Sequence, residues 1–190
     1  MSADISTTIL TRENVTEYIA AILKIEKDTS RRLGKNAYGR PWNSENIYYD
    51  LPGKWQYSSM AMMDSDLVGY LIVSRWGNNL HGHRMGMTID LAGMTKVRIA
   101  QALYKESSRA GRREGLEYFS AIVPTDNAAT QRYYLKEGFE QLDGSNLSWF
   151  IEGKGFDGHI EGDILKDREP VTGEPSASYV YRIDIRKAYL

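Results

Sequence analysis

The sequence predicts an α/β protein, a central mixed β-sheet flanked by helices, in one domain of 190 residues. Three observations predict it. Segments with apolar residues at helical spacing alternate with short runs of β-forming residues, in the order β-α-(α)-β-β-β-α-β-α-β-β. The length suits one domain with a real core and is short for two. No internal repeat interrupts the order, and the Gly-, Asp- and Glu-rich stretch from Gly153 to Ser178, with Pro170 and Pro175, reads as an excursion between strands rather than a linker.

The elements follow in turn. Residues 7–10, TTIL, are a short strand. Thr11 then offers an N-cap hydroxyl, Glu13 suits the positive helix end, and Val15, Ile19, Ile22 and Leu23 recur at helical spacing, predicting a helix to about Asp28. Residues 29–51 read as a polar connection in which Asn43 or Ser44 caps a short helix carrying Ile47, Tyr48 and Leu51. Residues 56–76 read as two strands around the turn Asp64-Ser65-Asp66, and 84–94 as a third. A helix is expected from Val97 to about Arg113, through Ile99, Leu103, Ser107 and Ala110, with Gly115 as its stop. Residues 117–123 form a strand ended by Pro124, and 125–139, TDNAATQRYYLKEGF, a helix closed by Gly138. FEQLDG, LSWFIEG and SYVYRIDI are further strand candidates, the last preceded by an insertion at about 143–178 that reads as an extended hairpin.

The totals exclude several classes. Lys and Arg (24) nearly cancel Asp and Glu (25), which argues against a nucleic-acid partner, because phosphate neutralisation needs clustered excess positive charge. With no cysteine, disulfides, thiolate metal sites and a cysteine nucleophile are excluded. The first residues lack a basic region followed by an apolar run, and no apolar stretch approaches the roughly 20 residues of a membrane span, so a cytoplasmic protein without a membrane partner is expected. His81 and His83 have the spacing that puts two rings on one strand face, but no third ligand accompanies them; no metal site is expected, and NNLHGHRMG reads as a loop.

Asn127, Tyr134, Lys136, Gly138 and Phe139 carry the most specific pattern. They fit N-x-x-A-x-x-x-Y-x-K-x-G-F, with Thr130 for the alanine, and the chain thereby resembles the GNAT superfamily of acyl-CoA-dependent N-acyltransferases over roughly residues 7–142. The family's phosphate loop, [Q/R]-x-x-G-x-[G/A], is similar to TKVRIA at 95–100: Ala100 fits, Thr95 stands for Gln or Arg, and Arg98 replaces a glycine. GRPWNSENIYYDL at 39–51 resembles a segment of the ribosomal-protein alanine N-acetyltransferase branch, resting on Pro41-Trp42.

The resemblance implies acetyl transfer from acetyl-CoA to a primary amine by direct attack. Leu91, Lys96, Val97, Arg98, Ile99, Ala100 and Asn127 would bind the co-substrate, and Arg98 would offer a guanidinium where the family uses backbone amides. The pantetheine arm would lie where strands 84–91 and 117–123 part, and Tyr134 would meet the charge on the departing sulfur while Tyr133 packs in the core. The branch's glutamate base corresponds to Ile122 here. Asp90 on the preceding strand is the titratable substitute, or else a carboxylate bonded to backbone. A site without a strong base suits α-amines or small, weakly basic amines over lysine, because an amine of pKa about 8 is roughly one-tenth neutral at pH 7 and one of about 10.4 far less. Two alternatives stand beside this reading: a GNAT-fold protein that has lost catalysis and serves binding or regulation, and a transferase using a longer acyl-CoA or an acyl carrier protein. A homodimer through the 143–178 excursion stays open, as does a peptide or small-molecule acceptor.

Overall fold

A computed structural model describes residues 4–38, 40–151, 158–168 and 175–188. Among the described residues, nine strands build one mixed sheet. β1 (Ser6–Ile9), β2 (Ser59–Met63), β3 (Asp66–Trp76) and β4 (Asn79–Met87) run antiparallel in sequence order. β5 (Tyr118–Pro124) then joins β4 in parallel, and β9 (Pro175–Asp184) lies antiparallel beside β5. The far edge of β9 is shared by β6 (Glu140–Gln141) and by the hairpin of β7 (His159–Glu161) and β8 (Ile164–Arg168). The sheet carries α4 (Gly93–Arg113) and α5 (Ala128–Lys136) on one face. On the other lie α1 (Val15–Tyr38), α2 (Ser44–Tyr48) and α6 (Gly144–Ile151). One turn, α3 (Lys54–Tyr57), leads into β2.

Local chemistry explains the boundaries. Thr11 and Asn14 bond each other's backbone amides, Thr11 N–H to Oδ1 at 2.8 Å and Asn14 N–H to Oγ1 at 3.2 Å, ahead of α1. Asn43 caps α2 with a reciprocal bond from Asn46. Asp64 and Ser65 hold positive φ (50° and 73°) in a two-residue turn, which lets β2 fold back on β3 with the native twist. Gly77 at φ 61° makes the next reversal, with Trp76 pairing Asn79. At Gly69 an added Cβ would stand 2.8 Å from Ile99 Cγ2, so glycine is what lets α4 lie close on the sheet.

Several expectations change. α1 continues ten residues past Asp28: Lys24 and Arg31 both pair with that carboxylate (2.6 and 3.3 Å), and buried Thr29 keeps the helix against the sheet. The strand expected at 84–94 is β4 at 79–87, because the Gly77 turn sends the chain straight back along β3; His81 and His83 therefore stand on a strand, not in a loop. α4 begins at Gly93, four residues ahead of Val97. LSWFIEG is helical as far as Ile151: Asp143 accepts from the Asn146 amide (3.2 Å) as an N-cap, and Leu147 then buries. Of the excursion, 152–157 and 169–174, Pro170 among them, lie outside the described residues. Among the described residues no helix is long and apolar enough to cross a membrane.

Candidate active site

The site begins with one extra residue. Ile72 faces Arg84 and Val73 faces Gly82, so His83 is bulged out of the β3–β4 ladder. The parallel ladder between β4 and β5 runs from Asn79↔Tyr118 to Gly82↔Ala121 and stops at that residue. Both strands continue, β4 to Met87 beside β3 and β5 to Pro124 beside β9. The bulge bends β4 away, and the two strands part. Their facing edges, His83–Met87 and Ile122–Pro124, carry backbone N–H and C=O groups outside any inter-strand ladder, able to pair with an extended ligand.

Beyond β4 the chain turns through 88–92 into α4. The amides of Gly93, Met94 and Thr95 have no intrahelical acceptor, the first such bond being Lys96 N–H to Ala92 C=O (3.1 Å). Two cations converge here on one neutral oxygen: Arg32 Nη1 of α1 at 2.6 Å and Lys96 Nζ at 2.7 Å both donate to the Ile89 carbonyl. Lys96 is pushed below the usual lysine range, first by desolvation and then by Arg32. Space beside Gly93 is open. Positive charge gathered on a single carbonyl at a helix N-terminus is chemistry suited to a phosphate.

The other sequence-selected residues divide. Arg98 is exposed on the first turns of α4; Val97 is partly buried; Ile99 and Ala100 are buried in the core, with their amides inside the helix. The free amides thus lie at 93–95, ahead of the 95–100 stretch. Leu91 packs on the main core. Asn127 caps α5, its Oδ1 taking the Thr130 amide at 3.1 Å. Asp90 is exposed in the turn before α4 and not on a strand, because the ladder has already ended with Thr88 N–H on Val68 C=O.

Tyr134 is 5% exposed, stacked on Tyr181 (ring centres 5.5 Å apart) and hydrogen-bonded through its hydroxyl to Tyr104 of α4. Burial pushes its phenol up to about 12, against a smaller downward pull from Tyr104. Tyr133 is partly buried against the same core. Tyr104 lies eleven residues into α4, about 17 Å from the helix start near Asp90. Asp90 and Tyr134 are therefore not brought together.

On the opposite face the structure assembles polar groups that the sequence reading left apart. Ser74 Oγ lies 2.7 Å from His83 Nε2, Ser120 Oγ 3.0 Å from His81 Nδ1, and Asn79 Nδ2 donates to Ser120 at 2.7 Å. The His81 ring stacks on Trp76 at 3.7 Å. Dense surroundings, and then nearby Lys54, hold His83 down at about 3, so its ring is neutral. The H-x-H alternation was the available signal; the misplaced strand hid it.

No protein-family model matches the sequence, and no curated protein matches it significantly. Solved structures do match. The ribosomal-protein-S18-alanine N-acetyltransferase from Escherichia coli superposes with a TM-score of 0.63 at 14% identity, over 96% of this chain and 94% of that one. A GNAT-family acetyltransferase from Staphylococcus aureus gives 0.61 at 14%, over 96% and 99%. The PaiA N-acetyltransferase from Thermoplasma acidophilum, solved with coenzyme A, gives 0.55 at 14%, over 95% and 99%.

The chain has the GNAT acetyltransferase fold.

Within that GNAT fold, β5 lies between β4 and β9 in the mixed sheet, and α6 with the β7–β8 hairpin precedes the last strand. Ile122, where the resemblance implies a glutamate, is partly buried against Leu142, Leu147, Leu165 and Val180.

Proposed function

We propose that this protein is an N-acetyltransferase that moves an acetyl group from acetyl-CoA to a primary amine, with α-amines or small-molecule amines favoured over lysine. One observation carries the reading: the β4–β5 ladder ends at the His83 bulge, opening a gap between two parallel strands beside the helix that bears Tyr134. The residues present fit the co-substrate. Edges of β4 and β5 would pair with an amide-bearing arm, and Arg32, Lys96 and the amides of 93–95 would hold phosphate.

Acetyl-CoA supplies an acetyl group activated as a thioester. The amine's lone pair forms the C–N bond as the C–S bond breaks, the electron pair leaves on sulfur, and the nitrogen's surplus proton passes to solvent. Tyr134 donates a hydrogen bond to that sulfur. Full proton transfer from a phenol near 12 to a thiolate near 8.5 would be uphill by about 5 kcal/mol, so stabilisation of charge is its task.

The state of three groups among the described residues supports the choice of acceptor. His83, held at about 3, draws no proton from an ammonium; both Glu26 oxygens are engaged by Arg84, Tyr70 and Trp42; Ile122 is apolar. An amine that arrives neutral is acetylated, and at pH 7 that favours an α-amine over lysine by about 3 kcal/mol. Incubation with acetyl-CoA and a panel of peptides, free lysine and small amines, read by mass spectrometry, tests this. Products on α-amines are expected; transfer to lysine side chains alone overturns the acceptor reading, and no acetyl-CoA binding overturns the activity.

A further inference from the structure

Tyr134 does not act alone in its pocket. Its hydroxyl meets that of Tyr104, a residue on a different helix, and both rings are buried, Tyr104 at 1% exposure. The box around them is aromatic. Tyr104 stands edge-on to Phe119 (5.0 Å), Phe139 (5.8 Å) and Tyr134 (6.0 Å), and Tyr134 edge-on to Phe139 (4.7 Å).

Topology brings this contact near the gap. α4 packs along β1 to β4, whereas Tyr134 of α5 rests on Tyr181 of β9, the register partner of Ala121. Ala121 is also the last residue of β5 paired with β4. The two helices that carry these hydroxyls thus pack on either side of the β4–β5 seam, and their ring contacts with Phe119 and Tyr181 set the pair near the level at which the ladder ends. Gln101 Nε2 donates to Glu137 Oε2 (3.0 Å) and ties the same two helices together nearby.

Two phenols share a choice of direction. If Tyr134 donated to Tyr104, its proton would be used up between the two oxygens. If Tyr104 donates, the Tyr134 oxygen is the acceptor, its own proton is left to point into the gap, and negative character on that oxygen is eased as its proton leans away. We infer that Tyr104 is the positioning residue of the transfer reaction, donating to the Tyr134 oxygen and so aiming the Tyr134 proton at the departing sulfur. The inference rests on the acetyl-transfer reading above.

The test pairs a spectroscopic readout with a double-mutant cycle. In protein labelled with carbon-13 at the tyrosine Cζ, Tyr104→Phe should move the Tyr134 resonance at neutral pH, since that carbon reports hydrogen bonding at its hydroxyl. This readout needs no turnover. In the enzyme, Tyr104→Phe should lower kcat about tenfold while KM for acetyl-CoA stays within about twofold, the signature of an interaction made in the transition state. In a Tyr134→Phe background the same substitution should cost nothing further in kcat, because the oxygen it serves is gone. An unmoved Tyr134 resonance overturns the inference, and so does an equal loss of kcat in both backgrounds, which would mark Tyr104 as core packing. Failure of the wild-type protein to transfer acetyl would instead strike the underlying reading, even with the resonance shift intact, and would take the positioning role with it.

Discussion

Arg84 meets Glu26 side-on inside the fold, with its Nη2 2.7 Å and its Nε 3.0 Å from the two carboxylate oxygens. Glu26 is fully buried and Arg84 nearly so. Tyr70 donates to the same carboxylate, the Trp42 amide does so at 2.6 Å, and Arg84 also reaches the Arg40 carbonyl at 2.9 Å. One carboxylate thus fastens α1 to β3, to β4 and to the segment that enters α2.

Removing one member strands the other. Glu26→Ala leaves a buried guanidinium without its counter-charge and should destabilise the protein by about 3–5 kcal/mol, read by urea unfolding. The pair Glu26→Met with Arg84→Met should cost less than the single change, since no charge is left uncompensated.

Tyr134→Phe should reduce kcat by about 10²-fold with little change in KM for acetyl-CoA, because the hydroxyl is needed only as charge builds on sulfur. Folding should survive, the ring stack on Tyr181 being retained. Unchanged turnover in a steady-state assay would remove Tyr134 from the mechanism.

Lys96→Met should weaken coenzyme A binding about tenfold by calorimetry, and Arg32→Met by a similar amount, with both losses shrinking as salt is raised. Arg98→Ala, on an exposed position of the same helix, serves as the comparison. If only Arg98 matters, the phosphate end lies at 95–100 as the resemblance implies, and not at the helix start.

His83 titrates near 3 in the fold and near 6.5 in the unfolded chain. Between these values the unfolded state binds the extra proton, so stability is full above about 6.5 and falls as pH drops towards 3. The slope is at most about 1.4 kcal/mol per pH unit, reduced by the part of the ring that solvent reaches. Unfolding curves at pH 7.5 and 4.5 should show a smaller loss for His83→Asn than for the wild type. Equal losses would mean that the imidazole is not held neutral.

Sequence reasoning succeeded where the signal is local. Runs of β-forming residues marked β2, β3 and β5, helical spacing marked α1 and α4, and Gly138, observed at φ 86°, closed α5. It failed where the signal is a pairing. The register of β4 depends on Gly77-Asn78 turning tightly against β3, and a strand placed at 84–94 set Asp90 on a sheet it never joins. LSWFIEG carries apolar residues that serve a strand or a helix equally, and the Asp143 cap decided for the helix.

By itself, then, the amino-acid order determined the alternation of helices and strands, the absence of thiol chemistry, and the pattern around Tyr134 that resembles the GNAT superfamily. Only tertiary structure decided that His83 is the bulged residue, that β4 and β5 part beside it, that Arg32 joins Lys96 from 64 positions away, and that Tyr104 faces Tyr134. The reason is physical. Helical and strand periodicities are written in neighbours a few residues apart, whereas a gap, a shared carbonyl or a pair of hydroxyls exists only once distant segments have been packed in one register.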